Sequence, residues 1–505
     1  MKKTKTMVVA NMGKVGRKAI GAMLALAVAA PAFAADWKFG ADVNAGETYT
    51  DNVTLAPSGA QQSDWITNVT PSISAVKNGA RLKVDVHYAM QNLFYARDSA
   101  RNTTYHQLNA HANAELYEKE LYLDTLASIS QAAISPLGAR SADNSNATGN
   151  ISNVRAFTLS PYWIHRFGTT ATANVRYSVS DVRNSSDAIS SSTNNTLNLA
   201  LASGSAFGRV SWGLNHLAQN VNYANRQDVS FLTDSASLGY LITPRIRMTG
   251  TVGAEKNSYL SSGAATQGSF WNVDGAWAPS SRTSLDLGFG HHYYGNTWNM
   301  AFKTRGAYSE WTANYSEGLT TSNSQFSGNT LTTLPQNIAV IGSSGTEVIL
   351  PKGTPVLDPT QIQSNQVFLN KQFGTGFNWK KGKSGITIRA YRSVLQAQES
   401  GQISSFLNNG AFQSTNTIKQ TGVSAGWTWQ LTPLMSSLIS VDLSRATYPD
   451  LGRTDNTSYL QLGLNRKFSP KLNGNVSLRR QVRTSNQNAS DYSENALSGS
   501  VTYKF

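Results

Sequence analysis

At 505 residues the chain is long enough for two or three soluble domains or for one large barrel. It has no cysteine, which excludes disulfides, Cys-ligated zinc, iron–sulfur clusters and thiol catalysis. Only 14% of residues are charged, well under the roughly 25% of soluble domains. The mean hydropathy is nevertheless just −0.32, which suits strands with one oily and one polar face. The net charge is +14, but six bases (Lys2, Lys3, Lys5, Lys14, Arg17 and Lys18) lie in the first 18 residues, and removing them leaves +8. That balance, with no aromatic-basic RNA motif and no zinc-finger spacing, argues against nucleic acid as a partner.

Residues 1–34 read as a signal peptide. The basic start precedes the apolar run Ala19–Ala30, and Ala32-Phe33-Ala34 forms an A-x-A site with cleavage expected before Ala35. The run is too short to serve comfortably as a membrane anchor. Residues 35–505 read as the mature unit. Without a long apolar stretch, that unit either stays in the periplasm or spans the outer membrane as a closed barrel, because backbone polar groups in lipid need internal partners.

Alternation decides between the two. From about Trp37 onward, apolar and polar residues follow a period of two. Arg81–Met90 sets Leu82, Val84, Val86, Tyr88 and Met90 against Lys83, Asp85 and His87. Arg245–Glu255 sets Ile246, Met248, Gly250, Val252 and Ala254 against Arg247, Thr249, Thr251 and Glu255. Ser284–Phe289 sets Leu285, Leu287 and Phe289 against Ser284, Asp286 and Gly288. Leu472–Arg483 sets the largely apolar row Leu472, Gly474, Val476, Leu478, Arg480 and Val482 against Asn473, Asn475, Ser477, Arg479, Gln481 and Arg483.

The connectors alternate between tight and long. Five tight ones share a bulky residue before a Gly or Pro turn: Arg166-Phe167-Gly168, Leu241–Pro244, Trp277-Ala278-Pro279, Leu431-Thr432-Pro433 and Phe468-Ser469-Pro470. Five more lie at Lys77–Ala80, Glu118–Lys119, Ser203–Ala206, Lys303–Gly306 and Lys380–Ser384. Longer polar segments fall between them, at Thr48–Asp64, Ser135–Asn150, Asn184–Ser192, Glu399–Ser414 and Ser485–Ser490. Ten short turns and eleven long loops predict an all-β, transmembrane antiparallel barrel of 22 strands, with 18–24 as the range. Its short turns are periplasmic and its long loops extracellular. Segment 141–150 reads as a flexible loop. The longest irregular stretch, Leu319–Gln366, carries Pro351, Pro355 and Pro359 and is either a lumen constriction or an external flap. The chain ends Val501-Thr502-Tyr503-Lys504-Phe505, with an aromatic last residue on the apolar face. This resembles the terminal signature read by the barrel assembly machinery.

Catalysis finds little support. The seven histidines show no H-E-x-x-H spacing, no G-x-S-x-G elbow is present, and adjacent His291 and His292 point to opposite faces of a strand. The chain is therefore read as a non-enzyme without cofactor or metal. Function would sit in the lumen. The inward candidates are the bases Lys83, Arg176, Arg247, Arg389, Arg479 and Arg483 and the acids Asp85, Glu255, Asp286, Glu310 and Asp442. Such mixed signs either cross-link neighbouring strands through ion pairs or line a weakly anion-favouring passage. Lys371 shares a face with Val367, Leu369, Phe373, Phe377 and Trp379, which places it on the outer surface at the distal rim, within reach of lipopolysaccharide phosphates.

The stretch Glu47-Thr48-Tyr49-Thr50-Asp51-Asn52-Val53-Thr54-Leu55-Ala56-Pro57 resembles the opening of the PEP-CTERM (exosortase) system-associated outer membrane proteins. The likeness is specific over about ten residues and general over the rest. It implies a β-barrel porin with a part in exopolysaccharide or surface-protein export, and it supplies no catalytic residues. The expected partners are outer-membrane lipid and lipopolysaccharide, the barrel assembly machinery and, through the resemblance, exopolysaccharide export components. A passive diffusion porin and a plugged docking scaffold stand as the alternatives.

Overall fold

The computed structural model describes residues 37–259, 261, 265–327, 363–399, 415–487 and 490–505. The leader, the apolar patches and prolines of 328–362, and residues 400–414 of the Glu399–Ser414 loop lie outside them.

Among the described residues the chain forms one sheet of twenty-two strands. The first half runs β1 (Trp37–Thr50), β2 (Asp64–Asn78), β3 (Leu82–Tyr95), β4 (Thr103–Tyr117), β5 (Leu121–Ala133), β6 (Ile151–Phe167), β7 (Ala171–Asn184), β8 (Ser192–Ser203), β9 (Val210–Tyr223), β10 (Val229–Thr243) and β11 (Ile246–Ser258). The second half runs β12 (Gln267–Ser280), β13 (Thr283–His292), β14 (Gly295–Arg305), β15 (Ser309–Thr320), β16 (Phe368–Lys381), β17 (Ser384–Ala397), β18 (Thr417–Thr432), β19 (Met435–Tyr448), β20 (Arg453–Lys467), β21 (Leu472–Ser485) and β22 (Tyr492–Lys504). A single helical turn, α1 (Ser322–Phe326), follows β15. Each strand pairs antiparallel with its sequence neighbours, and β1 pairs with β22, so the sheet closes on itself and leaves no edge.

Closure depends on small inward residues at the seam. Asn44 Nδ2 donates to Thr502 Oγ1 at 2.9 Å, and the Thr48 and Ser498 hydroxyls meet at 2.9 Å. Between them, a Cβ added to Gly46 would lie 2.7 Å from the Ser500 side chain and 2.8 Å from the Gly499 carbonyl, so only glycine lets the two end strands close to pairing distance.

Eight of the ten short turns fall where the turn chemistry predicts, and Gly168 supplies the positive φ of +55° that its turn needs. Two boundaries shift. Pro279 lies inside the last residues of β12, where the β12–β13 register slips between Trp277 and Ser280. Proline has no N–H for the ladder, so a slip is what an in-strand proline produces. At Lys303–Gly306, β14 continues to Arg305 and the turn occupies 306–308.

The two faces differ throughout. The outer face carries Leu238, Val252, Leu287, Leu443, Val476 and Leu478, each half or more exposed. Phe167, Trp277, Trp429, Phe468 and Phe505 ring the turn side, and Trp65, Phe94, Trp271 and Trp298 ring the loop side. That is an apolar band between two aromatic girdles. Val501, Tyr503 and Phe505 lie on this outer face.

Candidate functional site

The pairing registers carry one face around the whole wall, so each strand's inward set follows from its neighbour's. Lys83 and Asp85 on β3, Arg176 on β7, Arg247 and Glu255 on β11, Asp286 on β13, Glu310 on β15, Arg389 on β17, Asp442 on β19, and Arg479 and Arg483 on β21 all fall on the inner face. Height then divides them into two groups.

The first group lies toward the turns and remains open to solvent inside the barrel. Lys83, Asp85, Arg247 and Asp286 are exposed. Asp85 Oδ1 lies 2.9 Å from His87 Nε2. Asp124 takes His111 Nε2 at 2.8 Å and Arg176 Nη1 at 3.5 Å. The Arg176 guanidinium sits 4.1 Å over the Tyr162 ring, which stacks on Tyr122 at 4.9 Å. Arg247 and Asp286 flank Ala276 at one level of the sheet, and Arg389 and Asp442 flank Ser424. Glu310 is held at the turn-side rim by Arg305 and Lys303.

The second group lies toward the loops and is dry. Arg479 donates through Nε to Glu494 Oε2 at 3.1 Å and through Nη2 to Glu494 Oε1 at 2.8 Å, and its Nη1 reaches the Asp143 carboxylate. Arg483 pairs with Asp455 and donates to the carbonyls of Gly138 and Leu137. Arg453 joins Asp455 at 2.9 Å and the Leu137 carbonyl at 2.9 Å. Gln481 Nε2 and the Tyr492 hydroxyl both donate to the Arg140 carbonyl, and the Tyr448 hydroxyl donates to that of Pro136. The side chains of Arg479, Arg483, Asp455 and Glu494 are each less than 9% exposed.

These partners belong to the β5–β6 loop, which overturns the reading of 141–150 as a flexible segment. Ser141, Asn144, Ser145 and Asn146 are buried, and the loop is held on the inner face of strands far around the wall. Asn144 Nδ2 reaches Gln91 at 3.0 Å, Tyr95 donates to the Ser145 carbonyl at 3.0 Å, and Asn146 Nδ2 reaches Glu494 at 2.7 Å. Its polar composition is that of a segment supplying hydrogen bonds inside the barrel, which composition alone does not separate from a solvated loop. Within it, burial pushes the Asp143 carboxyl up, but Arg479 and the Ser145 N–H and hydroxyl outweigh this and hold it below the usual aspartate value.

The segment after β1 has a structural role in the same assembly. Thr50 Oγ1 donates to Glu494 at 2.8 Å. The Asp51 carboxylate takes Asn495 N at 2.8 Å and Nδ2 at 2.7 Å. Buried Asn52 donates to the carbonyls of Ala56 and Ser493 and accepts from Ala56 N. Ala147 N donates to the Val53 carbonyl at 2.8 Å, tying the β5–β6 loop to this stretch. Leu55, buried, adopts a φ of +53°, a conformation a branched side chain rarely holds without surrounding contacts.

The described ends of the β15–β16 connection also turn inward. The four buried residues Ser322 to Gln325 open α1. Asn323 Nδ2 donates to Ser192 Oγ at 2.9 Å, Thr158 Oγ1 to the Ser327 carbonyl at 3.0 Å, and Ser190 N to Asn365 Oδ1 at 2.7 Å. Both ends thus meet the inner face of β6–β9.

Sequence reasoning missed Asp143, Arg453, Asp455 and Glu494. Glu494 and Asp455 share the inward parity of Ser498 and Thr457 and were legible by alternation. Asp143 lies in a loop, where no period applies. His291 and His292 do point apart, to Asn296 on the outside at 2.9 Å and to Glu255 on the inside at 3.0 Å. Lys371 is on the outer face near the loop-side end of β16, but its ammonium lies 3.1 Å from Glu317 and is matched within the protein.

An oily exterior around a charged, partly wet interior, closed without an edge, leaves one setting. The chain is an outer-membrane β-barrel. Solved structures similar to it include the siderophore receptor PirA from Pseudomonas aeruginosa (7% identity over 93% of this chain and 80% of that one, TM-score 0.44). The siderophore receptor PiuA from Acinetobacter baumannii is 10% identical over 92% and 82%, with a TM-score of 0.46. The outer membrane protein OpdK from Pseudomonas aeruginosa is 10% identical over 93% and 99%, with a TM-score of 0.34. These are likenesses of barrel fold. The sequence matches no family model and no curated protein.

Proposed function

We propose that this barrel is a channel for a polar solute or polymer across the outer membrane, narrowed by the β5–β6 loop, and that it serves surface-polymer export in an exosortase-linked system. The observation that carries the channel reading is the inner wall of exposed Lys83, Asp85, Arg247 and Asp286 and half-buried Arg176 beneath a docked loop. Water-facing charge inside a barrel is the lining of a path for hydrated solutes. The link to exopolysaccharide rests on the likeness of residues 47–57 alone.

The second reading is a scaffold with a filled lumen. It is favoured by the two loops that turn inward and by the buried ion pairs of Arg479 and Arg483. Planar-bilayer recording separates the two. Stable conductance steps that enlarge when residues 137–147 are deleted support the channel. Silent bilayers from heat-modifiable, folded protein, with or without the deletion, support the scaffold. Loss of surface polysaccharide from cells lacking the protein is the test of the export assignment.

A further inference from the structure

Lys371 is matched by Glu317, but among the described residues three other outward bases on the neighbouring strands have no acid within ion-pair distance. Arg392 on β17, Lys419 on β18 and Arg445 on β19 are all exposed on the outer face. Thr421 faces both Arg392 and Arg445 across its two ladders, and Lys419 lies two residues further along β18 between them. With strands ~4.8 Å apart, the two arginine backbones stand about 10 Å from each other. Their guanidinium groups and the lysine ammonium can therefore converge on one small anion.

The outward residues of β17, β18 and β19 include no aspartate or glutamate. Asp450, in the turn beyond β19, gives its carboxylate to Thr415 Oγ1 at 3.0 Å and Asn416 N at 2.7 Å. Like charges held side by side on one sheet face repel one another. Several other outward charges do have acid partners: Arg183 with Asp181, His216 with Asp234, Lys371 with Glu317.

Height identifies the missing partner. The ten residue steps from Thr421 to Leu431 at the periplasmic turn, at ~3.4 Å each and tilted by about 40°, rise roughly 25 Å, the full height of an apolar band. Val423, Leu443, Ile388, Trp427 and Trp429 fill that interval. The three bases thus stand at the headgroup level of the outer leaflet, which in an outer membrane is phosphorylated glycolipid. We propose that Arg392, Lys419 and Arg445 form a binding site for a phosphate of that glycolipid, the lipid A portion of lipopolysaccharide.

The test uses the full-length barrel purified in mild detergent, stripped of lipid, and incubated with diphosphoryl lipid A, dephosphorylated lipid A or inorganic phosphate. Retention is read by native mass spectrometry and protection by thermal unfolding. Diphosphoryl lipid A is expected to be retained and to raise the unfolding temperature. The triple variant Arg392→Gln, Lys419→Gln, Arg445→Gln is expected to lose that retention by about tenfold or more, since charge-assisted contacts to phosphate are the strong ones. The variant Arg392→Lys, Arg445→Lys, which keeps the charge, is expected to recover most of it. Equal retention by the triple variant, or equal binding of the dephosphorylated lipid, would overturn the proposal. So would equal protection by inorganic phosphate alone, which would make this a free-anion site.

Discussion

The inner wall of this barrel is two environments built from the same kinds of residue. Near the loops, Arg479, Arg483, Asp455 and Glu494 are dry, ion-paired and joined to a loop that arrives from β5 and β6. Near the turns, Lys83, Asp85, Arg247 and Asp286 stand in solvent, and Arg176 and Asp124 are partly wet. An arginine in the first setting is part of the architecture. An arginine in the second can act on whatever passes. Charge identity is thus a poor guide to role inside a barrel, and burial with its partners decides.

The sharpest way to break the comparison is Arg479→Met. It leaves buried Glu494 and half-buried Asp143 without their cation, and losing one partner of a buried pair costs about 3–5 kcal/mol. Thermal unfolding should register that loss, and bilayer recordings should show larger or noisier steps as the loop leaves its dock. If the variant unfolds like the parent, the dry half is not structural. Next in size is Asn52→Ala, which strips the donors that hold Ala56 and Ser493 and should cost roughly 1–3 kcal/mol in the same assay.

Acid should separate the halves more gently. The Asp143 carboxyl lies below its ordinary value of 3.8 in the folded protein. Its contribution to loop docking is therefore complete above that value and fades as pH falls through the lower, folded-state one. Lowering pH below the ordinary carboxyl value of 3.8 should loosen the loop. Asp143→Asn should be looser at neutral pH, with this part of the acid response removed. Proteolysis within 137–147, followed against pH, is the measurement. The smallest effect on stability belongs to the wet half. Arg247→Glu should leave unfolding within about 0.5 kcal/mol of the parent while shifting reversal potentials toward cations. A large stability loss there would erase the distinction between the regions.

The sequence made the wall legible and the dock mostly not, for a physical reason. Alternation and turn chemistry act between neighbours in the chain, so Leu472–Arg483 declares its two faces and Phe468-Ser469-Pro470 declares its turn without any tertiary information. Contacts such as Arg479 to Asp143 or Arg483 to Gly138 join positions more than three hundred residues apart. Nothing in the composition of Ser141–Asn150 distinguishes a loop that meets water from one that meets carbonyls and guanidinium groups. Parity placed Arg479 and Arg483 on the inner face. It could not say that a loop would take up their charge, and so the balance of six bases against five acids overstates what faces the open lumen.

The β5–β6 loop is fastened by Asn52 and Val53 just beyond the first strand, and by Glu494 on the last. Those two strands become neighbours only when the sheet meets its own beginning. The loop's seat is therefore complete only in the closed sheet. An unfinished cylinder lacks part of that seat, and a protease-resistant loop becomes a report that the circle has been joined.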